Sequence, residues 1–146
     1  MQKDAALDGF DGSRGFPRLY LMQLHGPRPL QYDRITHHAN VTQCLGAASA
    51  TEDFYLAVHA PTLRDADTAG GADGGAAPPD PAQICVFRVA PHTFVKLHKG
   101  TWHAGPLWGD DPTRVFFNLE LHDTNEVDHH SVTLDSLHTF ERVVES

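Results

Sequence analysis

The sequence predicts an all-β fold, a sandwich or small barrel of jelly-roll type. About eight short apolar runs show strand-like alternation, and Gly, Pro and Asn stop each of them after a few residues. Helical periodicity is nearly absent. The chain has 146 residues, a length that fits one domain burying about two-thirds of its unfolded surface.

The elements follow in order. Residues 18–24 (RLYLMQL) form a first run, stopped by Gly26-Pro27 and Pro29. Residues 30–38 (LQYDRITHH) alternate, which places Tyr32, Arg34, Thr36 and His38 on one face and His37 on the other, toward the surface. A turn at Ala39-Asn40 leads into a strand over 42–47, and residues 53–60 (DFYLAVHA) are rich in strand formers. Residues 83–90 (QICVFRVA) are almost continuously apolar, as expected of a strand covered on both faces. In residues 114–122 (RVFFNLELH), Val115, Phe117, Leu119 and Leu121 share one face, and Phe116, Asn118, Glu120 and His122 the other. Short runs at 132–134 and 140–144 complete the sheet, although residues 136–144 read equally as a short helix.

Two segments stand outside this pattern. Residues 64–81 (RDADTAGGADGGAAPPDP) contain no large apolar side chain, so they read as a mobile, dispensable insertion between two strands. Residues 1–15 carry aspartates at 4, 8 and 11, read as loosely ordered, and have neither the apolar core of a secretory signal nor the basic character of a transit peptide.

Lysine and arginine number 11 against 19 aspartates and glutamates, for a formal charge of −8. This balance argues against non-specific nucleic-acid binding and against anionic membranes. No run approaches the ~18 apolar residues of a membrane span. Cys44 and Cys85 are too far apart for a metal or redox pair and read as buried small hydrophobes in a reducing, cytoplasmic setting. With 11 histidines the charge is labile near neutral pH. An anionic ligand must therefore be held by a local positive site.

Chemistry concentrates in residues 96–107, KLHKGTWHAGPL. Alternation puts Phe94, Lys96 and His98 on one face and Val95 and Leu97 on the other, and the bend at Gly100 is expected to bring His103 to the side of His98. Two imidazoles, Lys96, Lys99 and the wall of Trp102 suit a small anion with transferable protons. The plainer alternative is a half-exposed polar turn. His129 and His130, in an acidic loop, read as solvated.

The run from His98 to His103 is similar to the second cupin motif, Pro-x-Gly-x-x-His: Gly100 and His103 match, and His98 replaces the proline. In the first cupin motif, His38 and Gln43 fill the second-histidine and acid positions, while the first-histidine position falls on Thr36. Taken together, Ile35-Thr36-His37-His38 with Thr42-Gln43, residues 54–60, and His98-x-Gly-x-Trp-His-x-x-Pro-Leu resemble the ureidoglycolate lyase family of small cupins. Leu97 stands where that family has Tyr, and Phe117-Asn118-Leu119-Glu120-Leu121 is an altered form of its last motif. The resemblance covers roughly residues 30–123.

The resemblance implies a cupin-type jelly-roll barrel, a homodimer, and cleavage of (S)-ureidoglycolate to glyoxylate and urea in purine (allantoin) degradation. His98, His103 and Glu120 are the expected catalytic groups, and Lys96, Lys99, Gln43 and Trp102 the expected substrate contacts. His38, Gln43 and His103 would hold a divalent ion, nickel or zinc, if one is used; the reading leaves metal-free chemistry open. On this view His38, Gln43, His98, His103 and Glu120 share the inner face, and protonation of His103 sets an acidic limb of turnover near pH 6 to 7. Two other classes remain: a metal-dependent cupin with different chemistry, and a non-catalytic cupin that binds a small carboxylate or sugar.

Overall fold

The computed structural model describes residues 15–49, 51–62 and 76–142. The expectation for the N-terminal segment lies outside these residues, except at Gly15. Among the described residues, nine strands run in order: β1 Pro17–His25, β2 Gln31–His37, β3 Gln43–Ala47, β4 Phe54–His59, β5 Cys85–Val89, β6 Phe94–Leu97, β7 Trp102–Leu107, β8 Thr113–Leu121 and β9 His130–Thr139. One helical turn, α1 Thr124–Val127, follows β8. The strands form two antiparallel sheets, ordered β1-β8-β3-β6 and β5-β4-β7-β2-β9. The fold is therefore all-β, as the sequence predicts. Its described strands form two separate sheets, not a closed barrel.

Alternation assigns the faces. Leu45 and Phe116 of the first sheet meet Phe54, Leu56 and Val89 of the second, with Trp108, in a core between the sheets. Met22, Leu24, Val58 and Val95 pack against that core. A second cluster, Ile35, Ala57, Trp102 and Ala104, lies on the opposite face of the five-stranded sheet and is covered by Ala76 and Ile84. Two-residue periodicity thus sends Arg34, Thr36 and His38 inward and Ile35 and His37 outward. A register irregularity between Tyr32 and Arg34 moves Tyr32 to the outer cluster, which breaks the expected four-residue face at its start.

Several expectations are corrected here. β5 is an edge strand with Val89 its only buried residue and Phe87 54% exposed; its apolar run is not a sign of cover on both faces. Residues 136–139 continue β9 and are not helical. Cys85 is exposed, whereas Cys44 is buried. β7 is a full strand in a segment that reads as a turn. Gly105 lies at φ +120°, where the register of β7 on β4 slips between the Tyr55 and Ala57 pairs, so Gly105-Pro106 forms a bulge and does not end the strand. Within the 64–81 insertion, residues 64–75 lie outside the described set, but the end of the segment is anchored. Ala76 is only 4% exposed, and Ala77 exchanges hydrogen bonds with Thr62 (Ala77 N to Thr62 O 3.3 Å, Thr62 Oγ1 to Ala77 O 2.5 Å). Among the described residues, no helix is long and apolar enough to cross a membrane.

Candidate functional site

The candidate site lies between the sheets, at the end where β2, β7 and the segment before β9 meet. Thr36 pairs with His103, and Val58 pairs with His103 on the other side. Because Val58 packs on the inner core, its partner His103 also faces inward. His38 leaves the end of β2 on the same face. The His38 and His103 ring centres are 5.3 Å apart, and His129 stands 5.6 Å from His38.

Backbone carbonyls fix the tautomers. His38 Nδ1 lies 2.6 Å from the Asp128 carbonyl and His103 Nδ1 3.1 Å from the Thr101 carbonyl. A carbonyl only accepts, so both rings carry hydrogen on Nδ1 and, when neutral, keep their basic lone pair on Nε2. Asp128 holds this arrangement from below as well. It is buried, and its carboxylate accepts from the amides of Ala39 and Asn40 at 2.8 Å each and from Asn40 Nδ2 at 3.1 Å. The loop that carries His38 is thus clamped by the residue whose own carbonyl orients the ring.

These surroundings suppress charging. Burial and then the neighbouring His38 push the His103 pKa down to about 3; the Thr101 carbonyl pulls it upward, and His129 and His37 add to the lowering. His129 is also lowered, by burial and then by His38. His103 therefore stays neutral through the pH 6 to 7 range, and the expected acidic limb cannot come from its protonation.

Glu120, on β8, is fully buried beside this cluster. One oxygen accepts from Tyr20 Oη at 2.7 Å and Asn125 Nδ2 at 3.0 Å, and the other from Gln43 Nε2 at 3.1 Å. Arg18 approaches to 3.5 Å, and Asn118 Nδ2 donates to Tyr20 Oη at 2.8 Å. Burial and then the bond to Glu120 raise the Tyr20 pKa, so its hydroxyl stays a donor. Glu120 and Asn118 are thus joined through Tyr20. With its oxygens satisfied from three side chains, Glu120 is placed to orient Gln43 and Tyr20, not to serve as a free base.

The structure brings together His38, Gln43, His103 and Glu120 but not the others. Register pairs Lys96 with Cys44 and Val95 with Leu45, so Val95 and Leu97 face the interior and Lys96 lies on the outer face of the four-stranded sheet. His98 is exposed just past β6. Its imidazole does not join His103, because the turn at Lys99-Gly100 sends the chain into the other sheet; the Gly100 amide docks on the His38 carbonyl at 2.7 Å. Lys99 does not line the cleft beside His103. Trp102 is turned outward into the second cluster, where its Nε1 donates to Thr62 Oγ1 at 2.8 Å. His37 is opposite His38, as alternation requires, yet it is buried, packed 4.3 Å from Trp102 and 5.1 Å from His130.

Sequence reasoning missed Tyr20 and the place of His129, which is exposed, as the sequence predicts, yet stands beside His38. A signal existed for the second. His37 pairs with His130 across β2 and β9, so the adjacent pairs 37-38 and 129-130 must each place one ring on either side of the sheet. His129 and His103 line a cleft of about 320 Å³ that opens where β2 and β7 diverge beyond their Thr36–His103 pair, together with Arg28, Tyr32, Arg34 and Thr36.

The expected metal set fits in part. Two imidazoles that share a tetrahedral ion stand about 5 Å apart at ring centres, given metal–nitrogen bonds of about 2 Å, and His38 and His103 meet that spacing. Gln43 is instead turned to Glu120 through its amide nitrogen, which leaves only its carbonyl oxygen to offer. Among the described residues, no group of three or more His, Cys, Asp or Glu is placed to hold a metal ion. Compared with known proteins, the chain matches no family model and no curated protein.

Proposed function

We propose that the chain is a cytoplasmic cupin of the ureidoglycolate lyase type, cleaving (S)-ureidoglycolate to glyoxylate and urea at the interior histidine cluster. The observation that carries this reading is the adjacent pair of rings, His38 and His103, each with Nδ1 held by a backbone carbonyl so that Nε2 is the free basic nitrogen. Cleavage breaks the substrate O–H and C–N bonds and forms the C=O bond of glyoxylate and a new N–H bond on urea. His103, held neutral, accepts a hydrogen bond from a ureido N–H and orients the substrate. His38 Nε2 takes the hydroxyl proton and returns it to the urea nitrogen, so one group serves as base and then acid. Gln43, steadied by Glu120 through one amide hydrogen, faces the same interior and keeps its second amide hydrogen for the ureido carbonyl.

The same reading supports a homodimer. The outer face of the four-stranded sheet exposes Leu19, Leu21, Phe94 and Phe117, with Phe16 at its margin, an apolar surface that a second copy would cover.

The test is glyoxylate release from purified protein and (S)-ureidoglycolate, with chelator and with added nickel or zinc. Glyoxylate and urea in equal amounts under any of these conditions is the expected result. No release under all of them would remove the lyase reading.

A further inference from the structure

Two arginines share the cleft, and neither has a carboxylate partner among the described residues. Arg18, Arg88 and Arg114 each meet a carboxylate, Glu120 at 3.5 Å, Asp53 at 2.6 Å and Asp111 at 2.5 Å. Arg28 and Arg34 form no such ion pair among the described residues, and both line the cleft beside His103 and His129. In a chain of net charge −8, two guanidinium groups without carboxylate partners on one cleft make a local positive site of the kind the composition requires.

Their placement is built. Arg34 is on β2, two residues before Thr36 and four before His38, so alternation aims it to the same side as those residues. Arg28 is fixed by its backbone: its amide donates to the Gly109 carbonyl at 2.9 Å, and its carbonyl accepts from Trp108 at 3.1 Å and Gly109 at 2.8 Å. Its guanidinium lies 5.5 Å over the Trp108 ring, an arrangement that holds the group without neutralising it. Asp33 is the one acidic side chain among the residues that line the cleft.

We propose that Arg34, with Arg28 beside it, forms the carboxylate subsite of this cleft, and that it binds the carboxylate of a small 2-oxo or 2-hydroxy acid whose C2 lies next to His103. This role replaces the one expected of Lys96 and Lys99. A planar fork of N–H donors matches a carboxylate in two contacts, and it fixes the orientation of the carbon that reacts. The inference rests on the lyase reading only for the identity of the substrate, since the anion site can be tested without turnover.

The probe is oxamate, with neutral oxamide as the control and inorganic phosphate as a second anion, measured by titration calorimetry at low ionic strength. Wild-type protein is expected to bind oxamate more tightly than oxamide or phosphate. Arg34→Gln should weaken oxamate about tenfold or more and leave oxamide unchanged, and Arg34→Lys should recover part of the loss. In the glyoxylate assay, Arg34→Gln should raise KM about tenfold with kcat within a few-fold. Absent oxamate binding, an Arg34→Gln constant within twofold of wild type, an equal loss for oxamide, or tighter phosphate binding would each overturn the subsite. Oxamate binding that depends on Arg34, in a protein that never releases glyoxylate, would keep the subsite and reject the lyase reading. Turnover with an unchanged KM in Arg34→Gln would do the reverse.

Discussion

A buried imidazole packed beside other imidazoles resists protonation, and His103, held first by burial and then by His38, with His129 and His37 adding to it, stays neutral down to about pH 3. The consequence for stability has a definite sign. Between about pH 3 and the unfolded value near 6.5, the unfolded chain binds a proton at this position and the folded chain does not. Stability therefore rises with pH across that window and is lost as pH falls, by at most about 1.4 kcal/mol per pH unit for one such group. His129, also lowered, acts in the same direction. Urea unfolding from pH 4 to 7 in chelator should show this slope, and His103→Gln should flatten it; parallel curves would remove His103 as the cause. Glu120 makes a second residue-scale case. Its oxygens accept from Tyr20, Asn125 and Gln43, so Glu120→Gln turns an acceptor into a donor facing donors. The expected loss is about 2 kcal/mol or more, and a stability within a few tenths of wild type would contradict the network.

At the scale of elements, alternation identified most strands because β2, β4 and β8 carry β-branched or aromatic side chains and β1 carries a run of large apolar ones. It also grouped residues correctly: Val95 with Leu97, and Asn118 with Glu120. What period-two alternation does not decide is which face is buried. In β6 Lys96 and His98 make the charged face read as the site, whereas the apolar pair Val95 and Leu97 determines the inward side by burial. β7 was hidden by Gly105-Pro106, residues that usually end strands and here form a bulge. Small side chains hid the anchoring of the segment before β5, since Ala76 gives no apolar signal by size. Its place against Trp102 makes Ala76→Glu a direct probe. A charge buried there should cost about 2 to 4 kcal/mol, measured by thermal or urea unfolding, and a neutral effect would show that this end of the segment is free of the sheet. Asp128 links two elements, clamping residues 39–40 from the start of β9. Asp128→Ala should lower turnover more than its stability loss explains, because His38 loses its fixed position while its own ring remains.

At the scale of the molecule, the sandwich leaves its two outer faces in different states. The outer face of the five-stranded sheet is covered in part by Ala76 and Ile84, whereas that of the four-stranded sheet keeps Leu21 61% exposed, with Leu19, Phe94 and Phe117 around it. If a second copy seats there, sedimentation should give twice the chain mass, and Leu21→Lys should give the monomer; a wild-type monomer at all concentrations would reject that interface. The central claim is that chemistry occurs between the sheets and not on the outer face, where sequence motifs placed His98. Glyoxylate release by His38→Asn and His98→Ala, compared with wild type under one condition, tests it most directly. The account expects His38→Asn to lose about a hundredfold or more in kcat and His98→Ala to stay within about twofold of wild type, as an exposed residue remote from the reaction should. Near-normal turnover in His38→Asn, or a hundredfold loss in His98→Ala, would contradict it.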